Sequence, residues 1–284
     1  MKISGSGIFS VVLLVLFASA SSVSAQATAS KRAFQPVNIN KPNVSVSFGK
    51  VEKKEPSKTF LSFSTKSAVA MSMVLAFNSG IVNGACLSGI LAEGTKQATA
   101  AVTGAWTNSA LGIAKGASAQ FALNAKCILS YLGGSLISGL MVPNPSAFKL
   151  DVVGSLPLFA LASGLLVTAA TMAGAKNGNY LFLCCVANGI QNSLTSTLTS
   201  NLCRTAHFSG ITSDMGTFLG QVLRGNKTNL MKLKTFALLA ASFWAGSFLA
   251  YGLTESFGSV VLEGTALVHL VFALFLGLKT FGVV

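Results

Sequence analysis

Three side chains that can carry a proton or attract an anion lie close together in the stretch RTAHFSGITSDMG. Arg204, His207 and Asp214 fall within eleven residues of a chain of which only 10% is charged. His207 and Asp214 are seven positions apart, so a helix would place them on one face, about two turns from each other. The imidazole and the carboxylate titrate, and the guanidinium stays positive. We therefore predict that this stretch lines a path for a small polar or anionic solute.

Matching stretches earlier in the chain extend the predicted path. TGAWTN is similar to SGITSD, which pairs Asn108 with Asp214, and SGIVNGACLSGI is similar to NGIQNSLTSTL, which pairs Asn83 with Asn192. The predicted path residues are polar and glycine positions of these stretches, namely Asn83, Thr103, Gly104, Asn108, Gln191, Asn192, Arg204, His207, Ser209, Gly210 and Asp214. The alternative is that these residues only pack helices together, because small and polar side chains also do so in membranes.

Membrane helices must position these residues. The chain of 284 residues is 51% hydrophobic and has a mean hydropathy of +0.66, whereas soluble domains contain about 25% charged residues. Roughly 20 apolar residues cross a bilayer, and apolar segments recur over approximately 67–92, 98–115, 118–142, 152–174, 178–201, 205–223, 232–253 and 258–281. The second and sixth segments are short and polar, and they either cross the membrane or re-enter it. The predicted fold is an all-α polytopic membrane protein with 6–8 transmembrane helices.

The eight segments are predicted to form two homologous halves of four, residues 66–174 and 175–284. Besides the stretches above, FALNAKCILSYLGGSLISGL in the third segment parallels FALLAASFWAGSFLAYGL in the seventh. Repeats of this kind determine the architecture of a chain. If the two short segments cross the membrane, the halves are parallel. If they re-enter it, the halves are inverted, as in many transporters.

Two targeting segments are predicted before the helical domain, which covers residues 66–284. Lys2 is followed by the apolar run IFSVVLLVLFA and by SASSVSA, which indicates a signal peptide over residues 1–25. Residues 26–65 are basic and rich in Ser, Thr and Lys, which indicates a disordered leader. The pair resembles the bipartite presequences of algae with secondary plastids, and RAFQP resembles their cleavage signature. We predict a location in a plastid membrane of such an alga, with an endomembrane or plasma membrane location as the alternative.

Composition and motifs argue against several other functions. Much of the formal net charge of +13 lies in the leader, and no basic helix interleaved with aromatic residues occurs, so we predict no nucleic-acid partner. The chain has two histidines, no H-E-x-x-H motif and no G-x-S-x-G elbow, so we predict no enzyme, no metal site and no cofactor. His269 lies in a long apolar stretch and is predicted to be a core or interface residue. The five cysteines are predicted to be small buried hydrophobic residues.

Several of these stretches resemble the motifs of a known family. GIQN, RTAHFSG, TSDMGTFLG and AVTG are similar to motifs of the YoaK-like family of multi-pass membrane proteins, a domain of unknown function, over about residues 66–282. That family commonly has Asp at the position of Asn83, and Asn at the position of Ala105. The resemblance implies a helical membrane fold and agrees with the location of the polar stretches, but it implies no chemistry.

The function that these observations predict is that of a transporter-like membrane protein. Its solute would be small and polar or anionic, and proton coupling is consistent with a helix that bears both a histidine and an aspartate. The predicted partners are the lipid bilayer and this solute, and the sequence leaves a homo-oligomer open. The alternative is a non-transporting membrane scaffold or sensor in which the polar residues only pack helices.

Overall fold

The computed structural model describes residues 60–92 and 95–280, which fall in one compact unit. Its elements in chain order are β1 (Phe60–Ser62), α1 (Thr65–Ser88), α2 (Thr103–Ala114), α3 (Ser118–Met141), β2 (Lys149–Asp151), α4 (Val152–Gly174), α5 (Tyr180–Leu198), α6 (Phe208–Leu223), α7 (Leu230–Phe257) and α8 (Val260–Thr280). The predicted signal peptide over residues 1–25 lies outside the described residues, as does the predicted leader up to residue 59. Residues 60–62, which we assigned to that leader, form strand β1.

Four of the described helices, α1, α4, α7 and α8, are long and apolar enough to cross a membrane. The chain is mainly helical, as predicted, and these four helices are consistent with an integral membrane protein. Helices α3 and α5 have 24 and 19 residues but are not among the helices whose hydropathy suffices for a membrane span. Helices α2 and α6 have only 12 and 16 residues, which corresponds to about 18 and 24 Å of helix, less than the ~30 Å core of a bilayer.

Glycines bring α1 and α7 into direct backbone contact. A Cβ atom at Gly80 would collide with the carbonyl oxygen of Phe243, and one at Gly246 would collide with the carbonyl oxygen of Phe77. The Ser247 hydroxyl donates a hydrogen bond of 3.1 Å to the carbonyl oxygen of Gly80. Small residues allow this close approach in membrane helices, where the gain comes from van der Waals contact rather than from the exclusion of water.

The pair α3 and α5 is built in the same way. A Cβ atom at Gly134 would collide with the carbonyl oxygen of Val186, and one at Gly189 would collide with that of Tyr131. The Ser135 hydroxyl donates a hydrogen bond of 3.2 Å to the carbonyl oxygen of Gly189. In each of the two pairs, one glycine from each helix therefore lies at the close contact, and one serine hydroxyl donates a hydrogen bond to the backbone of the other helix.

The contacts along each pair fix the directions of the helices. Helix α1 runs parallel to α7, because Phe77 lies against Gly246 while Gly84 lies against Ala250. Helix α3 runs parallel to α5 in the same sense, with Lys126 over the Phe182 ring, the Cys127 thiol beside that of Cys185 and Gly134 against Val186.

Two other pairs run in opposite directions. Helices α1 and α5 are antiparallel, because Leu75 contacts Gln191 while Ser79 contacts Asn188. Helices α4 and α8 are antiparallel, with Phe159 stacked on Phe272 at 5.5 Å between ring centroids and with Gly174 next to Ser259, near the other end of the pair. The antiparallel pairing of β1 with β2 places the start of α1 beside the start of α4.

These directions determine the course of the two short helices. Because α1 is antiparallel to α5 and α3 is parallel to α5, α1 ends on the same side of the bundle on which α3 begins. The chain between them, with α2, therefore leaves and returns on one side. By the same reasoning, the chain between α5 and α7, with α6, leaves and returns on the opposite side.

Two adjacent glycines on α3 allow a matched test of this packing. Gly134→Ala should lower the free energy of unfolding by about 1–3 kcal/mol, because its Cβ would displace the α5 backbone. Gly133 has open space around it, so Gly133→Ala should raise the free energy of unfolding by about 0.5–1 kcal/mol through helix propensity. Denaturant unfolding in detergent, followed by circular dichroism, measures both. Equal effects of the two substitutions would contradict the close α3–α5 contact.

Candidate functional site

Two non-helical segments enter the helix bundle and are held there by asparagine side chains. The Asn83 Oδ1 on α1 accepts hydrogen bonds of 3.0 Å from both the Thr99 and the Ala100 backbone N–H groups. The Asn192 Oδ1 on α5 accepts a hydrogen bond of 3.1 Å from the Ala206 N–H. Buried backbone donors need partners. The two asparagines supply them at the points where segments 89–102, of which residues 89–92 and 95–102 are described, and 199–207 turn back into α2 and α6.

A hydrogen-bonded centre joins the two segments through α1 and α5. The Ser79 hydroxyl donates to the Asn188 Oδ1 at 2.7 Å, and the Asn188 Nδ2 donates to the Thr99 hydroxyl at 3.3 Å. The Gln191 Nε2 donates to the Leu75 carbonyl at 2.8 Å and to the Thr205 hydroxyl at 3.2 Å. The side chains of this centre are buried, and both segments therefore meet one polar cluster inside the bundle.

Local sequence explains where the helices break. Helix α1 ends at Gly89 in the left-handed conformation, with φ of +74°, which is the usual helix-ending geometry of glycine. After α5, Ser200 and Asn201 have φ of +51° and +63°, and asparagine is among the few residues that tolerate this region. The Lys176 Nζ lies 3.2 Å from the Leu91 carbonyl oxygen just beyond α1 and donates a hydrogen bond to it.

The structure brings together some of the predicted path residues but not all of them. Asn83, Gln191 and Asn192 belong to the two asparagine clamps and the centre. Thr103, Gly104 and Asn108 lie on the exposed face of α2, which packs against α3 through Gly112. Their role in a solute path stays a prediction.

Helix α6 divides into an apolar face and a polar face. The apolar face, Phe208, Ile211, Met215 and Phe218, packs on a cluster that includes Val69, Met73, Ala76, Phe236 and Leu239 of α1 and α7. His207, Ser209 and Asp214 are exposed, and the imidazole of His207 lies directly over Gly210. Arg204 is half-buried and donates a hydrogen bond of 3.2 Å to the Asn201 Oδ1. Within the described residues, no hydrogen bond or ion pair joins His207 to Asp214.

The two short helices begin four and three residues after Thr99 and Thr205, the members of the centre that the two segments supply. The residues that precede them, Val102 and His207, make no side-chain hydrogen bond to cap the helix. The N-terminal end of a helix carries a partial positive charge and unpaired N–H groups, which attract anions and polar oxygen atoms. Thr103 and Gly104 at the start of α2, and His207 and Ser209 at the start of α6, are exposed.

Sequence reasoning missed four members of the centre, namely Ser79, Thr99, Asn188 and Thr205. A signal for two of them was present, because Ser79 and Asn188 are the first residues of the matching stretches SGIVNGACLSGI and NGIQNSLTSTL. Thr99 and Thr205 lie in the segments that enter the bundle, and their role depends on which helices those segments meet.

The chemistry that this site offers is hydrogen bonding. Its described members are hydroxyl, amide and backbone groups, and the described ranges contain no group of three or more His, Cys, Asp or Glu residues that could hold a metal ion. All five cysteines are buried, which agrees with their predicted role as small hydrophobic residues.

Asn83 allows a test of the clamp on segment 89–102. Asn83→Ala removes the acceptor of two backbone N–H groups and should lower the free energy of unfolding by about 1–3 kcal/mol for each donor left unpaired. Asn83→Asp keeps an oxygen acceptor, so its free energy of unfolding should stay closer to that of the wild type. Asn108→Ala, at an exposed position on α2, is the control and should change stability by less than about 0.5 kcal/mol. Limited proteolysis after Lys96 and denaturant unfolding measure these effects, and an Asn83→Ala protein as resistant as the control would refute the clamp.

Comparison with known proteins places the chain in a family. A family model described as "Protein of unknown function (DUF1275)" matches residues 71–276. No curated protein and no solved structure matches the chain. The matched range includes most of α1 and of α8, all the helices between them, and both segments that enter the bundle. Because the model covers well over half of the chain, this protein belongs to the DUF1275 family of proteins of unknown function.

Proposed function

We propose that this protein is a transporter-like integral membrane protein that moves a small polar or anionic solute. The observation that carries the proposal is that two non-helical segments enter the bundle from opposite sides and meet one buried polar centre. Within a bilayer, non-helical backbone is tolerated only where protein or water surrounds it. Transporters use such broken helices to form solute sites near the middle of the membrane.

The orientation of the short helices supports a polar or anionic solute. Helices α2 and α6 begin four and three residues after Thr99 and Thr205 of the centre, and neither has a side-chain cap. Positive helix ends directed at the middle of a membrane favour anionic groups. Arg204 lies four residues before the first residue of α6 and would add positive charge there, and Lys96 lies seven residues before the first residue of α2.

We further propose that the protein consists of two homologous halves with inverted orientation. Support comes from contacts that occur in pairs. Gly80 meets Phe243 and Ser247 as Gly189 meets Tyr131 and Ser135. Asn83 accepts backbone hydrogen bonds from segment 89–102, and Asn192 likewise accepts a backbone hydrogen bond from segment 199–207. These pairs align Gly134 with Gly246 and place Ser79 opposite its own counterpart, Asn188. The antiparallel directions of α1 and α5, and of α4 and α8, support inversion.

This arrangement implies six full crossings and two re-entrant segments. It places the loop that contains Arg224 and Lys227 on the side where α1 begins and α8 ends. That loop and the start of α7 form a basic region of the helical domain. The positive-inside rule keeps such a region on the side that is not translocated. We therefore propose that the start of α1 and the end of α8 lie on that same side.

Cysteine labelling tests re-entrance. Lys96 and Lys115 flank α2 and are exposed, and cysteines at these positions in a cysteine-free background should react with an impermeant maleimide from the same side of the membrane. Lys115 and Pro143 flank α3, and cysteines there should react from opposite sides, which provides the matched control. Reaction of positions 96 and 115 from opposite sides would instead mean that α2 crosses and would remove the inverted arrangement.

Under this proposal the polar face of α6 borders the solute path. An ionised side chain in contact with lipid costs roughly 2.5–3.5 kcal/mol on insertion scales. The exposed Asp214 and its neighbours on α6 would therefore face water or solute rather than lipid tails. The first-half counterpart of Asp214 is Asn108, so only the second half has an acidic side chain at this position.

A second candidate function is a membrane scaffold or sensor without transport. The hydrogen bonds of the centre favour this function. Each of four side chains there already has a protein partner, namely Ser79, Asn188, Gln191 and Thr205. A centre of this kind can serve as interhelical glue, since polar pairs between membrane helices contribute about 0.6–2 kcal/mol each.

Variants of α6 distinguish transport from packing. If Asp214 or His207 contacts solute or a coupled proton, Asp214→Asn and His207→Ala should reduce solute accumulation about tenfold or more, which is the loss expected for one charge-assisted hydrogen bond. Glu255→Gln on the exposed face of α7 is the control. The solute is identified by untargeted metabolite comparison of a knockout with its complemented strain. If both α6 variants fold, reach the membrane and complement like the control, the transport proposal fails.

Two narrower assignments belong to the same proposal. The motifs RTAHFSG and TSDMGTFLG support placing the chain with the YoaK-like proteins. The presequence pattern supports a plastid membrane of a secondary-plastid alga. A fluorescent fusion of residues 1–66 should reach the plastid of such an alga, and its retention in the secretory pathway would favour an endomembrane or the plasma membrane.

A further inference from the structure

His269 is a titratable side chain buried near the middle of α8. Only 2% of its surface is exposed. It packs against Asn78 of α1 and against Phe159 of α4, with 6.3 Å between the two ring centroids. Membrane helices rarely bury an ionisable side chain without a functional reason. The role assigned to the polar centre of α1 and α5 does not use this histidine.

One nitrogen of the ring is held, and the other has no partner. The His269 Nδ1 lies 3.2 Å from the Thr265 carbonyl oxygen, and the Asn78 Nδ2 lies 3.3 Å from the same oxygen. The Asn78 Nδ2 also lies 3.3 Å from Nδ1. We assign the hydrogen to Nδ1 because the Thr265 carbonyl oxygen can only accept a hydrogen bond. With the hydrogen on Nδ1, the lone pair is on Nε2. The Nε2 atom is fully buried and has no hydrogen-bond partner within the described ranges.

The surroundings of the ring bring no fixed charge to it. Helix α4 has no charged residue along its length. On α1, Lys66 and Cys86 lie three and two helical turns from Asn78, and on α8 itself Glu263 and Lys279 lie six and ten positions from His269. Helix α7 also contacts α8, and its titratable groups, Lys232, Lys234, Tyr251 and Glu255, lie near its two ends. No hydrogen bond or ring contact joins any of these groups to His269.

We propose that His269 is a proton-binding residue, which takes up a proton at Nε2 when water or an anionic solute reaches the space between α1, α4 and α8. The proton comes from a hydronium ion of the entering water, whose O–H bond breaks and which is left as a neutral water molecule. A new N–H bond forms at Nε2, the Nδ1–H bond to Thr265 is kept, and the ring gains one positive charge. An imidazolium is costly in an apolar space, so it requires water or an opposite charge beside it.

The position of Asn78 links this residue to the polar centre. Asn78 contacts His269, and the next residue, Ser79, makes the hydrogen bond to Asn188 that joins α1 to α5. A charge at His269 would favour an anion nearby, and an anion would favour the proton, because such coupling is reciprocal. This coupling rests on the proposed transport function, whereas proton binding by His269 can be measured without it.

The chain has only two histidines, so one substitution isolates the signal. The exposed His207 is replaced in the His207→Gln variant, and the full chain is labelled with [15N]histidine and placed in lipid nanodiscs. Nitrogen NMR should show a neutral ring at about pH 8, with the hydrogen on Nδ1 and the lone pair on Nε2. Acidification toward about pH 4 should convert it reversibly to imidazolium while circular dichroism stays native. A ring with its hydrogen on Nε2, or a signal that does not change before the protein unfolds, would overturn the proposal.

A second variant tests the location by adding a charge. Asn78→Asp, made in the same single-histidine background, places a carboxylate beside the ring and should move the titration midpoint upward by about 1–3 pH units. Asn124→Asp, at a buried asparagine on α3, should leave the midpoint unchanged. An unchanged midpoint in Asn78→Asp would contradict the contact. If His269 titrates as described and the knockout shows no solute phenotype, the transport function fails but proton binding stands.

Discussion

Two asparagine side chains on neighbouring helices supply the acceptors that the broken parts of this chain require. Backbone N–H groups in an apolar bundle are costly when unpaired. Asn83 binds the backbone of segment 89–102, and Asn192 binds that of segment 199–207. The turn of each segment inside the bundle, and the place where α2 and α6 begin, depend on these bonds. The polar centre between α1 and α5 receives one threonine from each segment, Thr99 and Thr205.

The helices that carry these asparagines are fixed by contacts of a different kind. Gly80 and Gly246 bring α1 against α7, and Gly134 and Gly189 bring α3 against α5. Each pair joins helices that are distant in sequence. Polar bonds such as that of Ser79 with Asn188 then connect one pair with the other. Two tightly packed helix pairs with a polar contact between them are compatible with movement of one pair against the other.

The ionisable groups are distributed in a way that separates three roles. The centre consists of neutral amide and hydroxyl groups. His207 and Asp214 are exposed beside and on α6, and Arg204 is half-buried just before it. Under the proposed transport function these groups would attract a charged solute. His269 is buried among apolar helices, and its Nε2 atom has no hydrogen-bond partner within the described residues. A solute that passes the α6 face would therefore meet a neutral hydrogen-bonding site, and a proton would bind at a separate place beside Asn78.

The sequence by itself determined the helical membrane class, the positions of the two short helices and three members of the polar site, Asn83, Gln191 and Asn192. It could do so because hydropathy, glycine and amide positions are local properties of the chain. Only the tertiary structure decided that α1 packs on α7 and α3 on α5, that Ser79 meets Asn188, and that His269 is buried beside Asn78 rather than at an interface. Helix direction and partner choice depend on which distant surfaces fit together. No local sequence pattern encodes the direction or the partner of a helix, because a helix face with a glycine can pack against any other helix that has a complementary face.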